Sequence, residues 1–467
     1  MSVSGKIERI RRFVHEATAG HVTPTPTPTP TPPPWLQMQG KRGAESSSAR
    51  KSIVIVVHEA SQTGAPKIAL DLGYGFAEDL NVIYVLLRTG PRIHDFLENS
   101  VELILAEDPQ HWSNLVEHLV DSYRISACIL NSIESGEMAG PFLEKSIPTV
   151  TYVHEFAETT SAGMAFAGLS NSVCSIFSTQ VTLDSFKRVL PGLSSAEISV
   201  IPQGLRTVGF SDSQSRSLGR LFDNSSNRRV IVGAGQVSLR KGVDLFVEVA
   251  RKIRESDVGQ RCVFVWCGDG ATNGSTFSRL VGFQIRNAGL ENDFHFIEGA
   301  AMEHMLRDAD LFLLTSKLDP LPLVALEAAA LGTVVLSFGG TGGLAEVLDL
   351  SEKLVAPAFD TDALARAAVT MLRDENLRNQ YAADLELSVA KNLDFAAYLK
   401  KFAAVIASAK ERLTALQAEW EHAQSELSLD SGSVGRTLTL REFIVNSNFP
   451  GGFTHASQTG MVRNNFD

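Results

Sequence analysis

From Ser52 onwards, short continuous apolar runs alternate with segments whose apolar residues recur at helical spacing. Continuous apolar runs are typical of strands that are buried on both faces of a parallel sheet, with helices as connections. The strands predicted in a first series are residues 53–57, 82–87, 103–105, 127–130, 149–153, 173–177 and 198–201.

A second series of the same kind follows a connector, residues 209–228, that is rich in Ser, Gly, Asp and Asn. Its predicted strands are residues 229–232, 262–267, 294–297, 311–315, 333–338 and 354–356. Its predicted helices are residues 243–253, 277–288, 323–330 and 361–372. Two such series predict two doubly wound Rossmann-like domains, over residues 52–208 and 228–395. Ligands of such domains bind beyond the carboxyl ends of the strands, so a cleft between the two domains is the expected site.

The two ends of the chain lack this alternation. A basic segment, residues 7–14, precedes a Thr-Pro repeat over residues 23–34, which favours an extended spacer of about 3.1 Å per residue. With the polar residues that follow, the sequence predicts a disordered segment over residues 1–51. A helical segment is predicted over residues 396–426 and a polar tail of unassigned role over residues 427–467.

Composition narrows the class of protein. The chain has 467 residues, 44% of them apolar, and a formal net charge of −11. The apolar share excludes a fibrous chain, and the acidic balance argues against a nucleic-acid partner. No apolar run approaches the ~20 residues that span a bilayer, and the first thirty residues lack the apolar core of a secretory signal. The four cysteines form no CxxC pair, which favours a reducing, cytoplasmic compartment with cysteines in the core.

The stretch from Leu313 to Glu346 carries the most informative chemistry. A loop with Asp319 follows a predicted strand, and Pro322 favours a helix start at that position. Glu327 then lies about one turn into the helix. Free amides at a helix start favour an anion such as a diphosphate, and here they belong to Leu323, Val324 and Ala325. A role for Asp319 as a simple helix cap fits the same position equally well.

In its frame DPLPLVALEAAALG, this stretch resembles the E-x7-E signature of the retaining glycosyltransferases of family 4, which have the GT-B fold. Asp319 stands where Glu is commonest, a departure that leaves the donor sugar open. The resemblance implies that Asp319 contacts hydroxyls of the donor sugar and that Glu327 contacts the nucleotide ribose. It covers about residues 52–410 and is strongest in the second half.

The loop VGAGQVSLRKGVD contains a second match to this family. The resemblance implies that Arg240 and Lys241 neutralise the donor diphosphate, a type of contact that stabilises developing charge. Gly235 lies in the same loop, after a predicted strand. The loop also imitates a dinucleotide fingerprint, but its third glycine is missing, so we interpret that match as false. A solvated Arg-Lys pair is the alternative interpretation of the two basic residues.

Three further matches complete the predicted site. Gly64 lies in a strand-to-helix turn that, by resemblance, faces the diphosphate and the acceptor, and His154 follows a predicted strand near the donor's anomeric centre. Gly268, in FVWCGDG, resembles an element near the nucleotide base. An ordinary turn at Gly64 and a structural role for His154 are the alternatives. Asp308-Ala309-Asp310 imitates a metal-binding DxD motif, but we interpret it as a turn at the edge of the domain.

The resemblance therefore implies a retaining glycosyltransferase that needs no metal and no cofactor. Residues 228–395 would bind the nucleoside-diphosphate sugar, and residues 52–208 would bind a glycan or lipid-linked acceptor. The implied setting is bacterial surface polysaccharide or glycolipid synthesis, in the cytoplasm with peripheral contact to the inner face of the membrane. One alternative is a non-catalytic GT-B module that binds nucleotide or glycan within an assembly, and another is a nicotinamide dehydrogenase. Donor turnover and binding of NAD against UDP or GDP distinguish the three.

Overall fold

The structure is a computed structural model that describes residues 33–45, 50–190, 192–193, 197–206, 228–298, 302–429 and 439–448. The predicted basic segment, most of the Thr-Pro repeat and nearly all of the predicted connector lie outside these residues. So do residues 430–438 and 449–467 of the predicted polar tail. No helix within the described ranges is both long enough and apolar enough to cross a membrane.

The first domain is built on an eight-stranded sheet with the order β1-β4-β3-β2-β5-β6-β7-β8. All neighbouring strands are parallel except β1, which is antiparallel to β4. The strands are β1 (Leu36–Gln39), β2 (Ser52–Val57), β3 (Asn81–Leu86), β4 (Glu102–Leu105), β5 (Ile125–Asn131), β6 (Thr149–Val153), β7 (Cys174–Phe177) and β8 (Ile198–Val200). The helices are α1 (Gly64–Phe76), α2 (Ile93–Glu98), α3 (Trp112–Ser122), α4 (Ala139–Glu144), α5 (Ala162–Ser170) and α6 (Gln180–Val189).

The second domain has a six-stranded, fully parallel sheet with the order β11-β10-β9-β12-β13-β14. Its strands are β9 (Arg229–Ala234), β10 (Cys262–Cys267), β11 (Phe294–Ile297), β12 (Leu311–Leu314), β13 (Val334–Phe338) and β14 (Val355–Ala356). Its helices are α7 (Val243–Arg254), α8 (Thr276–Asn287), α9 (Met302–Asp308), α10 (Leu323–Ala330), α11 (Leu344–Val347), α12 (Thr361–Arg373) and α13 (Glu375–Asn392). The chain ends with α14 (Phe395–Leu429) and α15 (Leu440–Asn448).

The apolar runs form the strands because both faces of each sheet are covered. Every residue of β2 and of β10 is buried, as a doubly wound sheet requires. The prediction of two Rossmann-like sheets is therefore confirmed. The four cysteines are free and buried, and burial raises the pKa of the Cys262 and Cys267 thiols to about 12. These thiols act as small core residues, as predicted.

The first sheet begins earlier than the sequence predicts. Strand β1 and a 3-10 helix, Lys41–Glu45, lie inside the range predicted to be disordered, so that prediction is wrong for this part. Leu36 and Met38 alternate with two glutamines, a pattern that suits an edge strand with one buried face. Strand β1 pairs with β4 through all four residues and extends the sheet by one strand.

The C-terminal helices belong to the first domain, whereas the sequence predicts a separate helical segment and a tail. The side chain of Phe402 in α14 is fully buried, with its ring centroid 5.3 Å from that of Tyr152 on β6. Ile444 in α15 is also fully buried in the same core. The chain thus crosses back after the second domain and covers one face of the first sheet.

We expect Phe402→Ala to lower the free energy of unfolding of the first domain by about 3–5 kcal/mol, because it leaves a cavity in that core. Urea unfolding followed by tryptophan fluorescence and circular dichroism measures the change. The neighbouring exposed residue provides the control, since Lys401→Ala should stay within about 0.5 kcal/mol of the wild type. Equal stability of the two variants would contradict the packing of α14 described here.

Candidate functional site

The carboxyl ends of the two sheets meet at a cleft, as predicted for two doubly wound domains. Gly64, at the start of α1, faces the first residue of α10, because a Cβ placed on Gly64 would lie 3.8 Å from Leu323 Cβ. Gln203 Nε2 donates a hydrogen bond of 2.9 Å to the carbonyl oxygen of Leu321. Thr179, which caps α6, packs directly against Gly343. Loops of both domains therefore form the walls of one site.

A buried ion pair lies at the base of the second domain's wall. Lys241 Nζ is 2.5 Å from Asp319 Oδ2, and the Asp319 side chain is only 10% exposed. Ser316 Oγ donates to the same oxygen at 3.2 Å. Arg240 Nη1 lies 4.0 Å from that oxygen and donates to the carbonyl of Leu318 at 3.0 Å. The chain segments after β9 and β12 thus place two cations and one carboxylate together.

Asp319 does not cap α10. The N-cap position of that helix is Pro322, without a side-chain cap, and the carboxylate of Asp319 is bonded to Lys241 and Ser316. The capping alternative considered for Asp319 is therefore wrong. Its backbone N–H donates 2.8 Å to the carbonyl oxygen of Thr341, which fixes this loop against the glycine-rich turn after β13.

Two glycine turns support the Lys241 side chain. Gly235 and Gly268 follow β9 and β10, and both have positive φ, at 137° and 148°. The Gly235 N–H donates 2.9 Å to the carbonyl of Cys267, and Trp266 Nε1 donates 2.8 Å to the Gly235 carbonyl. A Cβ on Gly235 would lie only 2.9 Å from Cδ of Lys241. Glycine is needed here because the lysine stem lies directly over the backbone.

Helix α10 begins at Leu323, as the sequence predicts from Pro322. The amides of Leu323 and Val324 are in the first turn, where the helix itself offers no acceptor. The third predicted amide is not free, because the Ala325 N–H donates 3.0 Å to the carbonyl oxygen of Pro322. The helix start therefore leaves two of these amides without an acceptor in the helix, one fewer than predicted.

Glu327 has a partner that the sequence did not identify. Lys67, in the first turns of α1, forms an ion pair with Glu327 across the cleft. Lys67 lies in the same TGAPK segment as the predicted Gly64, but its side chain direction depends on how the two domains meet. No pattern within either domain could therefore have indicated this pair.

His154 is connected to the Gly64 turn by hydrogen bonds. Asn131 Nδ2 donates 2.8 Å to the carbonyl of Ala65, so its Oδ1 accepts from His154 Nε2 at 3.0 Å. Burial, with a smaller contribution from His58, lowers the pKa of His154 to about 3. His154 is thus a neutral donor at neutral pH. Within the described residues, its hydrogen bonds and its ring contact with Tyr152 stay in the first domain.

The half-buried carboxylate of Glu155, next to His154, was not predicted from the sequence. Glu155 accepts hydrogen bonds from Ser132 Oγ at 2.5 Å, from the Ile133 N–H at 3.2 Å and from the His154 N–H at 2.9 Å. Burial raises its pKa despite these donors. Ser132 has a φ of 109°, a strained value for a residue with a side chain. Glu155 thereby holds the turn after β5 against the turn after β6.

The DxD-like sequence has a structural role. Asp310 accepts from Arg229 Nη1 at 2.7 Å and from the Val230 N–H at 2.9 Å, so it joins the starts of β9 and β12 far from the cleft. In the part of the chain that the structure describes, no group of three or more His, Cys, Asp or Glu residues could hold a metal ion.

Comparison with known proteins agrees with this architecture. The crystal structure of Anabaena Alr3699/HepE in complex with UDP and glucose has a TM-score of 0.67 and 17% identity, and the match covers 77% of this chain and all of that one. Residues 222–384 match the family of glycosyl transferases group 1. The chain carries a group 1 glycosyl transferase domain on a GT-B fold.

The curated relatives of this chain are distant. An uncharacterized glycosyltransferase of Methanocaldococcus jannaschii is 25% identical over 47% of this chain and 52% of its own length. The alpha-galactosylglucosyldiacylglycerol synthase of Streptococcus pneumoniae is 31% identical over 23% of this chain and 27% of its own. The chain thus spans about half or less of the length of the curated relatives it matches.

Because His154 is neutral in the fold, acid should destabilise the protein through this residue. Below pH 6.5 the His154 imidazole is protonated in the unfolded chain, whereas in the folded protein it stays neutral down to about pH 3. The free energy of unfolding therefore falls as the pH falls. The contribution reaches about 1.4 kcal/mol per pH unit. We expect His154→Gln to flatten the decline between pH 6 and 4 by this amount, measured by urea unfolding at stepped pH. An unchanged slope would contradict a buried, neutral His154.

Proposed function

We propose that this protein transfers a sugar from a nucleoside-diphosphate donor to an acceptor hydroxyl, with retention at the anomeric carbon. The observation that carries the proposal is the Lys241–Asp319 pair, 2.5 Å long and nearly buried, beside Arg240 and the start of α10. These groups combine cations and amides for a diphosphate with a carboxylate for sugar hydroxyls. Family membership of residues 222–384 supports the same assignment.

The proposed reaction is a same-face displacement. The bond between the anomeric carbon and the diphosphate oxygen breaks, and the acceptor oxygen bonds to that carbon on the same face. The acceptor proton passes to the departing phosphate oxygen. Lys241, Arg240 and the amides of Leu323 and Val324 would stabilise the charge on the leaving diphosphate. Asp319 would orient the sugar hydroxyls, which replace part of its contact with Lys241.

The first domain would contribute the acceptor side. In this proposal the Gly64 turn approaches the diphosphate. His154 does not act as a general acid, but its hydrogen bond to Asn131 fixes the turn. Closure of the two walls would exclude water, which protects the donor from hydrolysis. The contacts of Gly64 with Leu323 and of Gln203 with Leu321, two residues before α10, support two walls that face each other closely.

We infer the donor and acceptor classes only from chemistry and relatives. The Anabaena protein has been crystallised with UDP and with UDP-glucose, which makes a uridine nucleotide the first donor to test. The pneumococcal relative is named as a glycolipid synthase, which favours a glycan or lipid-linked acceptor in a surface polysaccharide or glycolipid route. A thermal-shift screen of UDP-, GDP-, ADP- and dTDP-sugars identifies the base, because a ligand of the fold raises the melting temperature.

The proposed contact of Lys241 with the donor diphosphate predicts that loss of this lysine slows turnover strongly. We expect Lys241→Ala to lower kcat for release of nucleoside diphosphate from the donor by about 10²–10³, the usual cost of losing one such charge contact. Lys252→Ala is a matched control, since both lysine side chains are 17% exposed and paired with carboxylates, but Lys252 lies on α7 and bonds Asp362. Wild-type turnover in Lys241→Ala would remove the proposed site. No turnover in the wild type, with nucleotide bound, would favour a non-catalytic GT-B module.

The proposed contact of Glu327 with the nucleotide ribose predicts that Lys67 affects nucleotide binding. If the nucleotide ribose takes the place of Lys67 at Glu327, the free protein must break this half-exposed ion pair on binding. We expect Lys67→Ala to bind the nucleoside diphosphate up to about fivefold more tightly, because such a pair contributes about 0–1 kcal/mol. Isothermal titration calorimetry measures the change, and Lys67→Arg, which keeps the charge, should stay near the wild type. Weaker binding by Lys67→Ala would show that the ammonium contacts the ligand instead.

A further inference from the structure

A second concave site lies at the opposite end of the first sheet. A cavity of about 340 Å³ is formed where β2, β5 and β6 begin, and α14 closes one side. Its lining includes Lys51 before β2, Arg124 before β5 and Lys410 on α14. The donor cleft lies at the carboxyl ends of the strands, so the two sites are separated by the length of the sheet. A volume of this size is within the range of small-molecule sites.

The charge of this cavity has one sign. Its lining contains three basic side chains and no acidic one. Burial, and after it the positive charge of Lys51, lowers the pKa of Lys410. Within the described residues, neither Lys51 nor Lys410 forms an ion pair with a carboxylate. Two ammonium groups therefore line one cavity whose described lining contains no carboxylate.

Neutral hydrogen-bonding groups complete the lining. Ser126, Ser146 and Thr414 contribute hydroxyls, and Gln417 contributes an amide. Gln417 Nε2 donates 2.6 Å to Ser146 Oγ, which joins α14 to the turn before β6. Ser146 is held in the left-handed region, with a φ of 56°. Ammonium groups with hydroxyls between them are the donors that bind phosphate oxygens.

We propose that this cavity is an anion site for a phosphate group, distinct from the donor cleft. A phosphate would replace the repulsion between Lys51 and Lys410 by two charge-assisted hydrogen bonds. The phosphate belongs either to a soluble phosphate ester or to the headgroup of an anionic lipid. Because α14 forms one wall, occupancy would stabilise the packing of α14 on the first domain.

Inorganic phosphate is the probe for the site. The melting temperature of the full chain is followed as phosphate replaces chloride at constant ionic strength, for the wild type, Lys410→Gln and Lys51→Gln. Loss of one charged contact should raise the apparent dissociation constant about tenfold in each variant. Lys51 is exposed, so we expect Lys51→Gln to fold normally, and this variant keeps the test valid if Lys410→Gln folds poorly. Lys401→Gln, an exposed lysine on the same helix, should bind phosphate like the wild type.

A further variant distinguishes phosphate binding in this cavity from phosphate binding in the donor cleft. Lys241→Ala should retain the phosphate-dependent stabilisation even though it loses donor turnover. Phosphate binding that depends on Lys241 and not on Lys51 or Lys410 would overturn the proposal, as would absence of any phosphate effect in the wild type. This experiment does not depend on the glycosyltransferase assignment, so the two can fail separately.

Vesicles identify the source of the phosphate. The proteins are sedimented with vesicles of phosphatidylcholine alone or with phosphatidic acid added. Binding to the anionic vesicles that falls about tenfold in Lys410→Gln supports a lipid headgroup. Phosphate stabilisation through Lys410 without vesicle binding supports a soluble phosphate ester. Equal behaviour of wild type and Lys410→Gln in both experiments would contradict the site.

Discussion

The Lys241–Asp319 ion pair is the interaction on which the site depends. A carboxylate that is nine-tenths buried needs a cation and hydrogen-bond donors at once, because an isolated buried charge is costly. Asp319 obtains them from Lys241 and Ser316, residues that follow two neighbouring strands of the same parallel sheet. The pair joins positions 78 residues apart and fixes both loops.

This constraint also explains the glycines around the site. The lysine stem lies over Gly235, and Gly342 packs so closely against the Asp319 carbonyl that a Cβ would lie 1.8 Å from it. The two glycines thus let the backbone approach Lys241 and Asp319 more closely than any residue with a side chain would. The Lys67–Glu327 pair then connects this part of the second domain to the first domain, in which Asn131 ties His154 to the Gly64 turn. The cleft is therefore a set of linked loops that carry charges of both signs.

Much of this arrangement follows from local sequence patterns. Continuous apolar runs predicted the strands of both sheets, and Pro322 predicted the start of α10. What local patterns could not supply depends on long-range packing. Strand β1 is too short to be distinguished beside a proline repeat, and α14 returns to the first domain because its apolar face fits that core.

The site shows the same difference between features set by local sequence and features set by long-range packing. Arg240, Lys241, Asp319 and Glu327 were identified from their motifs, and the structure brings the first three together around one carboxylate oxygen. Lys67 escaped because its partner lies in the other domain, and the engaged amide of Ala325 depends on the local geometry of Pro322. Their roles toward a ligand stay predictions.

The most direct test is a crystal structure of this protein with the nucleoside diphosphate that stabilises it most. We predict that the diphosphate lies within hydrogen-bond distance of Lys241 and of the Leu323 and Val324 amides, and that the ribose contacts Glu327. A nucleotide bound away from this loop set, with the Lys241–Asp319 pair untouched by the ligand, would contradict the account.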